Sequence, residues 1–122
     1  MSRIQVTRSG QGTAYAPPGH VDVTARRLHG AEVGGPSGFW VGHSVYPPGA
    51  CAELGPVAGD TVYIVLDGEL ALRVRDGSGT SASVLYAGDS VFIPWRTIRS
   101  IMNHTQQVAT LLVVVQPGEA PS

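Results

Sequence analysis

Short runs rich in Val, Ile, Leu and Tyr recur along the chain, each broken by glycine or proline. No window long enough for a three-turn helix repeats its apolar residues at the helical period. The runs predict strands over His20 to Leu28, Phe39 to Tyr46, Ala50 to Leu54, Thr61 to Leu66, Glu69 to Arg75, Ser83 to Tyr86, Ser90 to Ile93, Arg99 to Asn103 and Val108 to Gln116. Asp67-Gly68 readily takes the positive φ angles of a two-residue hairpin and Asp76-Gly77-Ser78-Gly79 forms a looser turn, so a meander of hairpins is expected. Pro47-Pro48-Gly49 and Gly55-Pro56 are read as strand stops, because proline lacks the N–H that a ladder needs. Strands this short close as a sandwich or barrel, which makes the predicted fold class all-β.

Length and composition narrow the picture. A chain of 122 residues makes one domain, large enough to bury a core without disulfides or structural metal. The barrel is assigned to residues 20–117. Before it, residues 1–19 carry Gly10, Gly12 and Pro17-Pro18 and form an arm that is either flexible or an edge strand exchanged with a partner; residues 118–122 form a C-terminal tail. Every basic residue is arginine, so Schiff-base chemistry is excluded. With a net charge of -1 and no basic run longer than Arg26-Arg27, the chain lacks the footprint of a nucleic-acid binder, and that pair reads as a solvated edge. The longest apolar run, Leu111 to Val115, is too short to cross a bilayer, and Met1 to Gly12 lacks the layout of a signal peptide. Cytoplasmic location is therefore expected, in keeping with a lone Cys51 that reads as a small buried hydrophobe.

From Gly49 onward the punctuation resembles the cupin superfamily, whose two motifs run G-x5-H-x-H-x3-4-E-x6-G and G-x5-P-x-G-x2-H-x3-N. Gly49 and Gly68 bracket the first motif; Gly88, Pro94 and Asn103 occupy the glycine, proline and asparagine positions of the second. The resemblance implies a single-domain, cupin-like jelly-roll β-barrel. It also implies that the metal-ligand positions fall on Gly55, Val57, Thr61 and Arg99, none of which supplies a useful donor to a cation. No metal and no cofactor are expected. A relocated metal site built from His43, Cys51 and His104 is the competing reading, although these residues show no recognisable ligand spacing.

Side chains alternate between the barrel interior and its outside, so an inward Thr61 brings Tyr63 with it and an inward Arg99 brings Ile101 and Asn103. His43 shares parity with Val41 and Val45 and is the imidazole expected in the cavity; His20 and His29 are expected at the surface. Trp95 and Arg96 are placed at the mouth, with Trp95 either a lid or a seal in a dimer contact. The catalytic set is then His43 as acid or base, Tyr63 as donor to an oxyanion and Arg99 as anion holder, with Thr61, Val57, Trp95, Arg96 and Ile101 contacting substrate. For Arg99 the competing reading is a structural ion pair with Asp60, Asp89 or Glu53.

The function expected is that of a metal-independent lyase, isomerase or cyclase acting on a small, anionic or oxygenated molecule such as an organic acid. The alternative is a non-catalytic binding or regulatory module that uses the same cup. No Lys guards an exposed edge strand, and a homodimer is expected.

Overall fold

The computed structural model describes residues 4–118. Apart from Gly118, the tail expected over 118–122 lies outside these residues, as do the first three residues of the N-terminal arm. The strands are β1 (Thr13–Tyr15), β2 (His20–Val21), β3 (Thr24–His29), β4 (Trp40–Tyr46), β5 (Cys51–Pro56), β6 (Gly59–Asp67), β7 (Glu69–Asp76), β8 (Gly79–Tyr86), β9 (Ser90–Ile93), β10 (Ile98–Met102) and β11 (Ala109–Pro117), with one 3-10 turn at Ala31–Val33 between β3 and β4. A six-stranded sheet runs β1-β3-β4-β11-β6-β9 and a five-stranded sheet runs β2-β5-β10-β7-β8, all pairs antiparallel. Only β3-β4 and β7-β8 join strands consecutive in the chain. Elsewhere the chain crosses between sheets, which is a jelly roll and corrects the expected meander.

Gly68 shows why. It has the positive φ of +76°, as its Asp67-Gly68 setting predicts, but β6 and β7 on either side of it lie in different sheets. The glycine turns a corner, not a hairpin. A Cβ there would lie 2.8 Å from the Val108 carbonyl oxygen and 2.9 Å from Ala109 Cα. Gly68→Ala therefore combines an unfavourable backbone angle with overpacking and is expected to destabilise by about 1–3 kcal/mol. Urea unfolding should show a lower midpoint at unchanged slope. The tight hairpin is the other turn: Asp76 pairs with Gly79, and Asp76 Oδ1 accepts from Ser78 N at 2.8 Å and from Ser78 Oγ at 2.6 Å. The expected stop at Gly55-Pro56 also moves, because β5 continues to Pro56 opposite Ile98, where proline's missing N–H falls on the strand's last position. In the arm, β1 pairs with Ala25–Arg27 of its own chain.

The apolar core fills the end of the barrel where Val65, Leu70, Leu72, Ile93, Ile101 and Leu111 meet. Asn103 closes that end. It is 1% exposed, its Nδ2 donates to the carbonyls of Tyr46 (2.8 Å) and Gln107 (2.7 Å), and its Oδ1 accepts from Thr105 N and Oγ1. One side chain thus satisfies the loop between β10 and β11 and ties it to β4. Toward the other end, past Val57, Thr61 and Val115, the barrel opens into a cavity.

Candidate functional site

The cavity has a volume of about 610 Å³, within the range of small-molecule sites. Its buried charged group is Arg99 on β10, 9% exposed. Arg99 Nε donates to the Tyr63 hydroxyl at 2.9 Å, and Nη1 makes longer contacts of 3.4 Å to the carbonyls of Glu53 and Gly55. Among the described residues no carboxylate pairs with it: the single ion pair there joins Arg27 to Glu32. The competing ion-pair reading for Arg99 is therefore corrected. Asp60 instead accepts from Trp95 N, and Asp89 accepts from Tyr86 N. A buried guanidinium held by neutral partners keeps its charge uncompensated and directed at the cavity.

Alternation along β6 places Thr61 and Tyr63 inside, and Val57, between β5 and β6, lines the same cavity. Because the Tyr63 oxygen accepts from Arg99, its own proton is free to be donated to a ligand. Thr61 spends its hydroxyl on the Gly59 carbonyl at 2.8 Å.

His43 is corrected. On β4 the buried positions are Gly42, Ser44 and Tyr46, so His43, Val41 and Val45 belong to the outer face of the six-stranded sheet. Of the inward residues, Ser44 lines the cavity and Gly42 lies under the Trp40 and Tyr15 side chains, and such small residues read in sequence like a solvent face. The imidazole in the cavity belongs to His20, expected at the surface but half-buried beside the rim of β5. Its Nδ1 lies 3.0 Å from the Pro18 carbonyl, an acceptor only, so Nδ1 carries the proton. Burial foremost, and then the Arg99 charge, hold its pKa below the ordinary 6.5 despite the opposing pull of that bond. At neutral pH His20 is thus an uncharged imidazole with Nε2 as its basic nitrogen.

Trp95 and Arg96 do not reach the cavity. Arg96 has φ +76° where the family motif has glycine, and its guanidinium stacks 4.7 Å above the Trp95 ring. The Trp95 ring packs against Gly118. Ile101 is inward but belongs to the core, one inward position beyond Arg99. The sequence reading also missed Tyr15, Arg27 and Trp40, which line the cavity together. Arg27 is no solvated edge: its side chain is 14% exposed and packs against the rings of both Tyr15 and Trp40. Burial pushes the phenols of Tyr15 and Tyr46 above their ordinary value, which keeps both protonated.

Gly55, Val57, Thr61 and Arg99 do converge on this cavity, and they do not fit a metal ion: Gly55 and Val57 have no side-chain donor atom, the Thr61 hydroxyl is a weak neutral ligand, and Arg99 is a cation. Among the described residues no group of three His, Cys, Asp or Glu stands close enough to hold one. The relocated set is not assembled either. His43 lies on the outer face of the six-stranded sheet, whereas Cys51 and His104 line a groove of the five-stranded sheet. No helix among the described residues is long and apolar enough to cross a membrane.

A two-sheet jelly roll with Gly49, Gly68, Gly88, Pro94 and Asn103 at its corners, open at one end, is a cupin barrel. Solved cupin structures superpose on it at low sequence identity, which shows the fold alone. The polyketide cyclase RemF of Streptomyces resistomycificus matches with TM-score 0.79 at 20% identity, over 98% of this chain and 83% of that one. A predicted oxalate decarboxylase of Thermotoga maritima matches with TM-score 0.74 at 21% identity, over 93% of this chain and all of that one. The Cnp3 cupin domain of Schizosaccharomyces pombe matches with TM-score 0.67 at 15% identity, over 81% and 63% of the two chains. No family model matches the sequence. The chain has the cupin fold, and it belongs to the family of the Mycobacterium tuberculosis protein named Beta-D-galactosidase Rv1717, with which it shares 46% identity over 112 residues, 92% of this chain and 93% of that protein.

Proposed function

We propose that the protein is a metal-independent cupin that binds a small, oxygenated organic anion in its barrel and performs acid–base chemistry on it, as a lyase, isomerase or cyclase does. The observation that carries this reading is Arg99, buried in the cavity wall and free of any carboxylate partner among the described residues. Arg99 receives the carboxylate, and the developing enolate gains the Tyr63 O–H as a second donor. Nε2 of His20 takes the proton from the carbon next to the carboxylate; the C–H electron pair passes into the enolate, and the proton returns from His20 to the product.

The named relative supports sugar-like substrates, and galactoside hydrolysis is the second reading. Glycosidases ordinarily use a pair of carboxylates across the scissile bond. Among the described residues Glu53 is the one acidic residue that lines this cavity, which favours the single-base scheme. Calorimetric titration with D-galacturonate and D-galactose, before and after dialysis against a chelator, separates the readings. Galacturonate is expected to bind, galactose not, and chelation to change neither. Equal binding of the two sugars, or hydrolysis of 4-nitrophenyl β-D-galactoside that disappears in Glu53→Gln, would overturn the proposal in favour of the hydrolase.

A further inference from the structure

Arg27 lies on β3, in the sheet opposite Arg99, yet lines the same cavity. Its guanidinium carbon sits 3.9 Å from the Trp40 ring centroid and 4.8 Å from that of Tyr15, and the two rings meet edge to face at 82°. The guanidinium sits in the corner between two nearly perpendicular rings, which restrains it and leaves its N–H groups as the sites of recognition. Space for it is built into the backbone: a Cβ on Gly42 would lie 3.0 Å from the Trp40 ring and 3.2 Å from the Tyr15 hydroxyl.

The donors of Arg27 are underused. Nη1 reaches Glu32 Oε2 at 3.2 Å, but that carboxylate stands on the exposed turn at Ala31–Val33, its side chain 77% exposed. Nε is buried and has no partner. An ion pair with one end in water is weak and easily exchanged for a better-desolvated one. The phenols of Tyr15, Tyr46 and Tyr63 line the same cavity as the two guanidinium groups. The wall thus offers neutral hydrogen-bond donors together with two cations carried on opposite sheets. An acceptor-rich molecule with negative charge at both ends matches that lining; a monoanion leaves one cation unmatched.

We propose that Arg27 is a second anion-binding point and that the cavity selects dicarboxylates, or equivalent molecules with an oxyanion at each end, over monoanions. The inference rests on the reading of Arg99 as the first anchor, and the two are separable. Galactonate and galactarate share one six-carbon polyol chain and carry one and two terminal carboxylates, which makes them suitable calorimetric probes. Galactarate is expected to bind the native protein at least about ten-fold more tightly, an increment typical of a charge-assisted hydrogen bond. In Arg27→Met that advantage disappears while galactonate affinity stays the same; in Arg99→Met both ligands weaken. Glu32→Gln, an exposed change that releases Arg27 from its competitor, is expected to tighten galactarate several-fold and leave galactonate unchanged. An unaltered ratio of the two affinities in Arg27→Met overturns the inference. If that variant fails to fold, an unaltered ratio in Glu32→Gln does the same. Undiminished galactonate binding in Arg99→Met removes the first anchor instead, whatever the ratio. Absence of binding of both sugar acids to the native protein overturns both.

Discussion

His20→Gln is expected to slow proton abstraction by about 10²–10⁴-fold, the usual worth of a positioned general base, while the affinity for the bound anion changes little. Exchange of the galacturonate C5 proton for deuterium in heavy water, followed by NMR, reads that step directly, because C5 is next to the carboxylate and no product need be known. Glutamine keeps the size of the side chain and its hydrogen-bonding capacity but cannot hold the proton. The pH dependence follows from the environment of the imidazole. Burial and the Arg99 charge both disfavour the imidazolium, so the base remains available below the ordinary His value of 6.5 and exchange should fall only in more acidic solution. Stability moves in the same direction. The unfolded chain binds this proton more readily than the folded one, so the native state loses stability as pH falls from 6.5 through the folded pKa, and His20→Gln should flatten that part of the stability profile. Undiminished exchange in the variant would remove His20 from the mechanism.

That this histidine escaped the sequence while Arg99 did not has a physical explanation. On β6 and β10 the inward residues are large or strongly typed, and one fixed point on each strand, Thr61 or Arg99, sets the rest by alternation. The corners were legible for a similar reason: Gly68 and Asn103 hold positions whose backbone angle or hydrogen bonds admit few alternatives. Strand β4 defeats the same logic. Its outer face carries Val41 and Val45, while the middle of its inner face carries the small Gly42 and Ser44, which leave room for the Trp40 and Tyr15 side chains and for the cavity. Periodicity therefore pointed to the wrong side and took His43 with it. His20 and Arg27 reach the site through the fold of the arm, where β1 pairs with β3 and the Glu53 amide donates to the Gly19 carbonyl at 2.8 Å. These pairings join segments distant in sequence, and nothing local to Pro17-Pro18-Gly19-His20 announces them. Sheet membership was hidden likewise, since Asp67-Gly68 has the chemistry of a hairpin turn whichever sheet the next strand joins.

Arg99→Met is expected to weaken galacturonate binding by roughly ten- to a hundred-fold, the equivalent of about 1.5–3 kcal/mol for hydrogen bonds to a charged group. Stability should move the other way. In the free protein Arg99 is desolvated and compensated by one phenol and two long carbonyl contacts, so its charge is a cost the fold bears for the ligand. Methionine fills much of the same space without that charge, and the variant is expected to melt at the same temperature as the native protein or higher. Opposite signs for affinity and stability are what distinguish an anion anchor from a structural arginine, whose removal lowers both. A third consequence links the variant to the base. Arg99 is one of the two influences that depress the His20 pKa, so its removal should shift the pH midpoint of deuterium exchange upward, toward 6.5. Reduced affinity with a lowered melting temperature and an unmoved midpoint would return Arg99 to the scaffold. Reduced affinity with retained stability and a raised midpoint would establish that the guanidinium standing where the family motif has a metal-binding histidine governs both the ligand and the proton acceptor beside it.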